Sequence, residues 1–176
     1  MQEAIFELRT PDKKKLIGLA VFGKPSGRNV LKKYGNETIE LRRLVLSKKV
    51  EKNTLSWFLA KCLKYLRIHT EYTGVISYAD PNVGHTGAIY KATNFKYLGQ
   101  EVTPNPRVII DQDGTRIGMR QLYQKSKLTG DYVKSAKEYQ ARVKNGDLKV
   151  IKQLKKERFF YQIKEENGNK NKIQGI

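Results

Sequence analysis

Alternation and helical periodicity divide most of the chain into short elements. Residues 4–9 and 16–22 read as two strands joined by the turn Thr10-Pro11-Asp12, with Gly23-Lys24-Pro25 ending the second. Ile39, Leu41, Leu44 and Leu46 bracket Arg42-Arg43 in a third strand over 39–47, where the two arginines are expected to face opposite ways. From Asn53, Leu55, Phe58, Leu59, Cys62, Leu63 and Leu66 fall on one stripe of an amphipathic helix over 53–68, with Asn53 as its expected N-cap. A strand over 74–79, a helix over 86–95 and a strand over 97–102 follow. Farther on, residues 107–110 and 115–119 predict a hairpin around Asp113-Gly114. Two helical stripes are expected between 129 and 156, the second built on Leu148, Ile151 and Leu154. RFFYQIK reads as a last strand, and residues 165–176 as a polar tail.

This order of elements predicts one mixed α/β (α+β) domain over residues 1–164, with a basic helical insertion near 129–156. Its length suffices for one workable core. No apolar run approaches the roughly 20 residues needed to span a bilayer, and the first residues lack a signal pattern, so a cytoplasmic location is expected. The single cysteine, Cys62, excludes an internal disulfide, and its apolar stripe predicts a buried thiol rather than a nucleophile.

Candidate chemistry concentrates at 75–99. An apolar run delivers Ser77, Asp80 and His85 to a loop that opens the helix carrying Tyr90. Asp80-Pro81 forces the turn, and ligands of open α/β sheets settle beyond such strand ends. A carboxylate or imidazole could act as a base and a phenol as an acid. Each of these residues could equally be structural, with Asp80 capping the turn and Tyr90 half buried. A redox metal such as iron on Asp80 and His85 would have only two protein ligands, short of any recognised pattern.

The run SYADPNVGHTGAIYKATNFKYLG resembles the signature of the Mom family of phage DNA-modification proteins, whose fold is similar to that of the GNAT acyltransferases. Its second half, AIYKATNFKYLG, also resembles the general acyltransferase pattern of a helical tyrosine followed by asparagine and phenylalanine. The resemblance runs from about Val30 to Gly99. It implies a GNAT-like mixed sheet flanked by helices and an enzyme that alters adenine in DNA with an acetyl-CoA-derived group, protecting phage DNA from host restriction. The implied carbamoylmethyl adduct asks for more chemistry than a carboxylate, an imidazole and a phenol readily supply. Relative to the family pattern, a first strand and first helices are expected to be missing before Met1.

Within that frame, the third strand, the loop and the Asn53 helix would present a positive helix end to the pyrophosphate of coenzyme A, with Arg42, Arg43, Lys52, Asn53, Thr54 and Ser56 as candidate contacts. The loop from Lys48 to Ser56 holds no glycine, so close backbone approach to phosphate is not expected from composition alone.

Charge fits the same picture. There are 35 Lys and Arg against 17 Asp and Glu, a formal net charge of +18. Such an excess points to a polyanion, here double-stranded DNA. Lysines interleaved with Tyr139, Phe159, Phe160 and Tyr161 add faces on which bases could stack. Two other classes remain: a GNAT N-acetyltransferase acting on a small amine or protein, and a non-catalytic basic nucleic-acid-binding protein. A homodimer is left open by the residues.

Overall fold

A computed structural model describes residues 4–27, 29–101, 107–110, 114–118 and 136–164. The chain divides into two compact units, one of residues 1–79, 85–100 and 156–176, the other of residues 80–84 and 101–155.

The first unit is built on a six-stranded sheet. Its strands are β1 (Ala4–Arg9), β2 (Leu16–Gly23), β3 (Thr38–Leu46), β4 (Gly74–Ala79), β5 (Lys96–Gln100) and, from the C-terminal side, β9 (Glu157–Gln162). Their spatial order is β1-β2-β3-β4-β9-β5. All neighbours are antiparallel except β3 and β4, which run parallel. A parallel pair needs a crossover, and α2 (Thr54–His69) supplies it. Phe58, Leu59, Cys62, Leu63 and Leu66 on α2 form one buried cluster with Ala20, Phe22, Ile39, Leu41, Val75, Ala79, Phe95 and Phe159. Full burial of a side chain such as Leu59 or Leu66 contributes about 1.5–3 kcal/mol. Cys62 lies within that cluster, and burial pushes its thiol pKa up to about 12, as suits a packing residue.

Several sequence expectations are corrected. A short helix α1 (Val30–Tyr34) precedes β3 where no element was read. The helix expected over 86–95 is shortened to α3 (Ala88–Ala92), and the turn expected at Asp80-Pro81-Asn82 continues as a 3₁₀ turn (Pro81–Val83) before it. Positive φ at Gly84 and Gly87 separates the two and stops one continuous helix from forming. The Arg42 and Arg43 side chains do not simply alternate. A bulge in the β2–β3 pairing falls between the Phe22–Leu41 and Val21–Arg43 partners, leaving Arg42 as the extra residue, and both arginines are exposed.

The second unit carries the antiparallel sheet β7-β6-β8, formed by β6 (Arg107–Ile110), β7 (Arg116–Gly118) and β8 (Lys149–Lys152), together with α4 (Ala136–Lys144). The second helical stripe is therefore corrected to a strand. Lys149–Lys152 pairs residue by residue with β6, and backbone bonding to a sheet edge overrides a three-residue apolar spacing too short to hold a helix. Gly114 has the positive φ expected of the hairpin turn, whereas residues 111–113, the helical reading over 129–135 and the tail lie outside the described residues.

Candidate active site

The site begins where two parallel strands part. β3 and β4 are paired only at Thr38–Gly74, Ile39–Val75 and Glu40–Ile76, although β3 continues to Leu46 and β4 to Ala79. Past that point the two strands make no further ladder pairs with each other, and their divergence forms a wedge. The Ser77 hydroxyl donates across it to the Leu41 carbonyl at 3.2 Å.

Side-chain alternation distributes chemistry to the two faces of this wedge. On the face covered by α2, Ser77 shares its side with Val75 and Ala79, which belong to the core cluster. Tyr90 of α3 comes to the same place: its phenol interacts with the Ser77 hydroxyl and donates to the Tyr78 carbonyl at 3.5 Å. Its ring packs on Phe159 at 4.9 Å and Phe95 at 5.4 Å between centroids. Burial raises the phenol pKa above its ordinary value, offset in part by the Ser77 hydrogen bond, so Tyr90 holds its proton.

On the other face stands Glu40, which sequence reasoning missed. It is the last β3 residue paired with β4, only 8% exposed, and its Oε2 accepts from the Ser26 backbone N–H at 2.7 Å and the Ser26 hydroxyl at 2.9 Å. A carboxylate kept out of solvent at a strand divergence is a candidate functional group. In the sequence it looks like an ordinary polar position of an alternating strand; only the pairing register places it at the wedge.

Of the four residues expected to act on substrate, Ser77 and Tyr90 are thus brought together. His85 is exposed in the loop before α3. Asp80 belongs to the second unit, where its Oδ1 accepts from the Asn82 backbone N–H at 2.9 Å and the Asn82 amide at 2.8 Å. Asn82 in turn makes a reciprocal pair of 2.9 Å bonds with the Leu154 backbone. These bonds give Asp80 the turn-capping role. Asp80→Ala is expected to lower thermal stability by about 0.5–2 kcal/mol, measured by a circular dichroism melt; an unchanged melt would remove that role.

The loop before α2 supplies the other half. Asn53 occupies the N-cap position, but the expected side-chain cap is corrected: its φ is 68° and it makes no side-chain capping bond. Asparagine tolerates this left-handed conformation, so the chain turns into α2 without a glycine. The hydroxyls of Thr54 and Ser56 donate backward to the carbonyls of Glu51 and Asn53 at 2.8 and 2.9 Å. The first turn of α2 contains no acidic residue, and Lys52 is exposed beside it. Arg42 is turned over Gly23 and donates to the Lys24 carbonyl at 2.7 Å, and Arg43 donates to the Arg42 carbonyl at 3.3 Å. Among the described residues no group of three or more His, Cys, Asp or Glu could hold a metal ion, and no helix is long and apolar enough to cross a membrane.

A mixed sheet with one parallel pair and a crossover helix is a GNAT-like fold, and a solved acetyltransferase shares it. A chimera of the spermidine N-acetyltransferase of Vibrio cholerae and hSSAT superposes with a TM-score of 0.50 at 12% identity, covering 92% of this chain and 67% of that one. An N-acetyltransferase from Staphylococcus aureus gives a TM-score of 0.49 at 15% identity, covering 92% and 68%. The Vibrio cholerae spermidine N-acetyltransferase in complex with CoA and spermine gives 0.49 at 9% identity, covering 91% and 65%. The chain thus spans about two thirds of the length of these acetyltransferases. No curated protein sequence matches it. The Mom protein family matches residues 5–174, and the chain belongs to that family.

Proposed function

We propose that this protein is an acyltransferase-like enzyme that modifies adenine in DNA with a group derived from acetyl-CoA. The observation that carries the reading is the wedge between β3 and β4, with the buried Glu40 carboxylate on one face and the protonated Tyr90 phenol, held by Ser77, on the other. The residues present suit coenzyme A: a parallel strand pair whose ladder stops part-way, a 16-residue helix whose N-terminal turn is free of acidic side chains, and a left-handed residue leading into it. When bound, the cofactor supplies an activated acyl carbon and a thiolate leaving group.

The chain's own residues do the rest. N–H groups at the start of α2, with Lys52 nearby, neutralise pyrophosphate charge. Tyr90 Oη holds a proton that it would supply to a thiolate leaving group, and Ser77 keeps that phenol oriented. Glu40 takes the proton leaving adenine N6, whose lone pair is delocalised into the ring and needs such assistance. His85 contacts the entering base from its exposed loop. Reaching N6 requires the base to leave the duplex stack, at a cost of about a few kcal/mol that pocket contacts repay.

Family membership supports DNA as the substrate, and so does charge. A polyamine acceptor is a polycation, which a chain of net charge +18 repels, whereas a polyanion is drawn in. The test is mass spectrometry of nucleosides from DNA of cells expressing the chain. Modified deoxyadenosine is expected with the parent and at least about 100-fold less with Glu40→Gln, within the range of acid–base contributions. Unmodified deoxyadenosine with the folded parent, or equal modification by Glu40→Gln, would reject the assignment.

A further inference from the structure

The second unit contains a groove of about 420 Å³ that the chemistry above does not use. Its floor is the face of β6 and β8 that carries Arg107, Val150 and Lys152; its wall is α4, through Tyr139, Val143 and Lys144. Arg107 and Lys152 are direct cross-strand partners. Like charges placed opposite each other on an antiparallel pair repel and cost stability. Lys144 adds a third cation to the same opening, and none of the three forms an ion pair with a described residue. Tyr139 is half buried, so its ring is held in the groove lining.

Three cations lining one groove with a half-buried aromatic ring call for a ligand that is anionic and flat at once. A volume of this size falls at the small end of ligand pockets, roughly 300–1,000 Å³, and has room for about one nucleotide but not a duplex. We propose that this groove binds single-stranded nucleic acid, stacking one base on Tyr139 while Arg107, Lys152 and Lys144 engage the flanking phosphates. The inference deepens the DNA reading and rests on it: a target base turned out of its duplex leaves the nucleotide opposite it without a partner, and that unpaired base needs a surface to stack on. Stacking is sequence-tolerant, so the groove would grip the strand without choosing the target.

The experiment is fluorescence anisotropy of the full chain with a labelled single-stranded DNA 20-mer, alongside heparin as a polyanion without bases. Tyr139→Ala is expected to weaken DNA binding about 5-fold to 150-fold, while Tyr139→Phe keeps it and heparin binding is unchanged by either. The double variant Arg107→Ala/Lys152→Ala should weaken both ligands and flatten the salt dependence of DNA binding by about 1.4 in log–log slope, two phosphates at about 0.7 each. Lys64→Ala, on the exposed side of α2, serves as the control and should change binding less than about 2-fold. If folded Tyr139→Ala binds DNA as tightly as the parent, or the double variant keeps the parental slope, the groove is not the strand site. Nucleoside analysis separates this from the enzyme reading: modified deoxyadenosine with an inert groove overturns only the groove, whereas groove binding without modified deoxyadenosine overturns only the chemistry.

Discussion

Tyr90→Phe is expected to lower turnover by about 10²-fold to 10⁴-fold while leaving the fold in place, the range that a positioned proton donor contributes. Phenylalanine keeps the ring that packs on Phe159 and Phe95. It removes the oxygen that meets Ser77 and the Tyr78 carbonyl. The stability loss should be about 1 kcal/mol, the net worth of one such hydrogen bond, so a melt within a few degrees of the parent should accompany the lost activity. A comparable fall in both would assign Tyr90 to packing alone. The pH dependence carries a sign. Burial raises the Tyr90 pKa above 10.0, so its proton is present throughout the neutral range, and activity should fall on the alkaline side only above the ordinary phenol pKa. The same raised pKa stabilises the fold below pH 10 or so, and that contribution is lost as pH rises through the folded-state value. Activity already declining between pH 8 and 9 in step with Tyr90 ionisation would contradict the shift.

Gly87→Ala is expected to be the most damaging small substitution in the first unit. Gly87 lies at φ +74°, and a Cβ built there would fall 2.2 Å from Cζ and 2.6 Å from Cε2 of Phe159, whose ring is 1% exposed. The left-handed backbone alone costs a residue with a side chain about 1–2 kcal/mol. Gly84 provides the internal comparison, since its φ is +78° but no described residue has an atom within 4 Å of the added methyl. Gly84→Ala should therefore cost only that backbone term. Gly87→Ala must also displace a buried aromatic ring, which adds about 1–3 kcal/mol of overpacking. Because Phe159 packs on Tyr90, the variant should lose activity as well as stability. Denaturant melts of the two glycine variants decide the point: equal losses would mean that Phe159 yields freely.

Much of the first unit was legible in the sequence because its strands and α2 announce themselves locally. Residues 4–9 and 74–79 are strands at the bounds that alternation gave, and the α2 stripe is the observed core face. What alternation cannot encode is the partner of each strand. Glu40 is polar, β-prone in context and unremarked until pairing stops beside it. The left-handed Asn53 was hidden because an asparagine before a helix ordinarily caps through its side chain, and only the backbone angles show the other use. Leu148, Ile151 and Leu154 satisfied a helical spacing that residues 149–152 abandon for a sheet edge. The signature around Tyr90 was informative about chemistry but not about which of its residues act, since Asp80 spends its oxygen on the turn that Asn82 ties to Leu154.

The strand β9 lies between β4 and β5, and among the described residues β5 has no other partner in its sheet. As the chain leaves the ribosome, β5 must wait for some 60 residues of later sequence before it can pair. The unit therefore closes late, through contacts of long sequence separation that slow folding. Until then the growing chain carries exposed strand edges, which makes the interval before residue 157 the time of greatest exposure to aggregation.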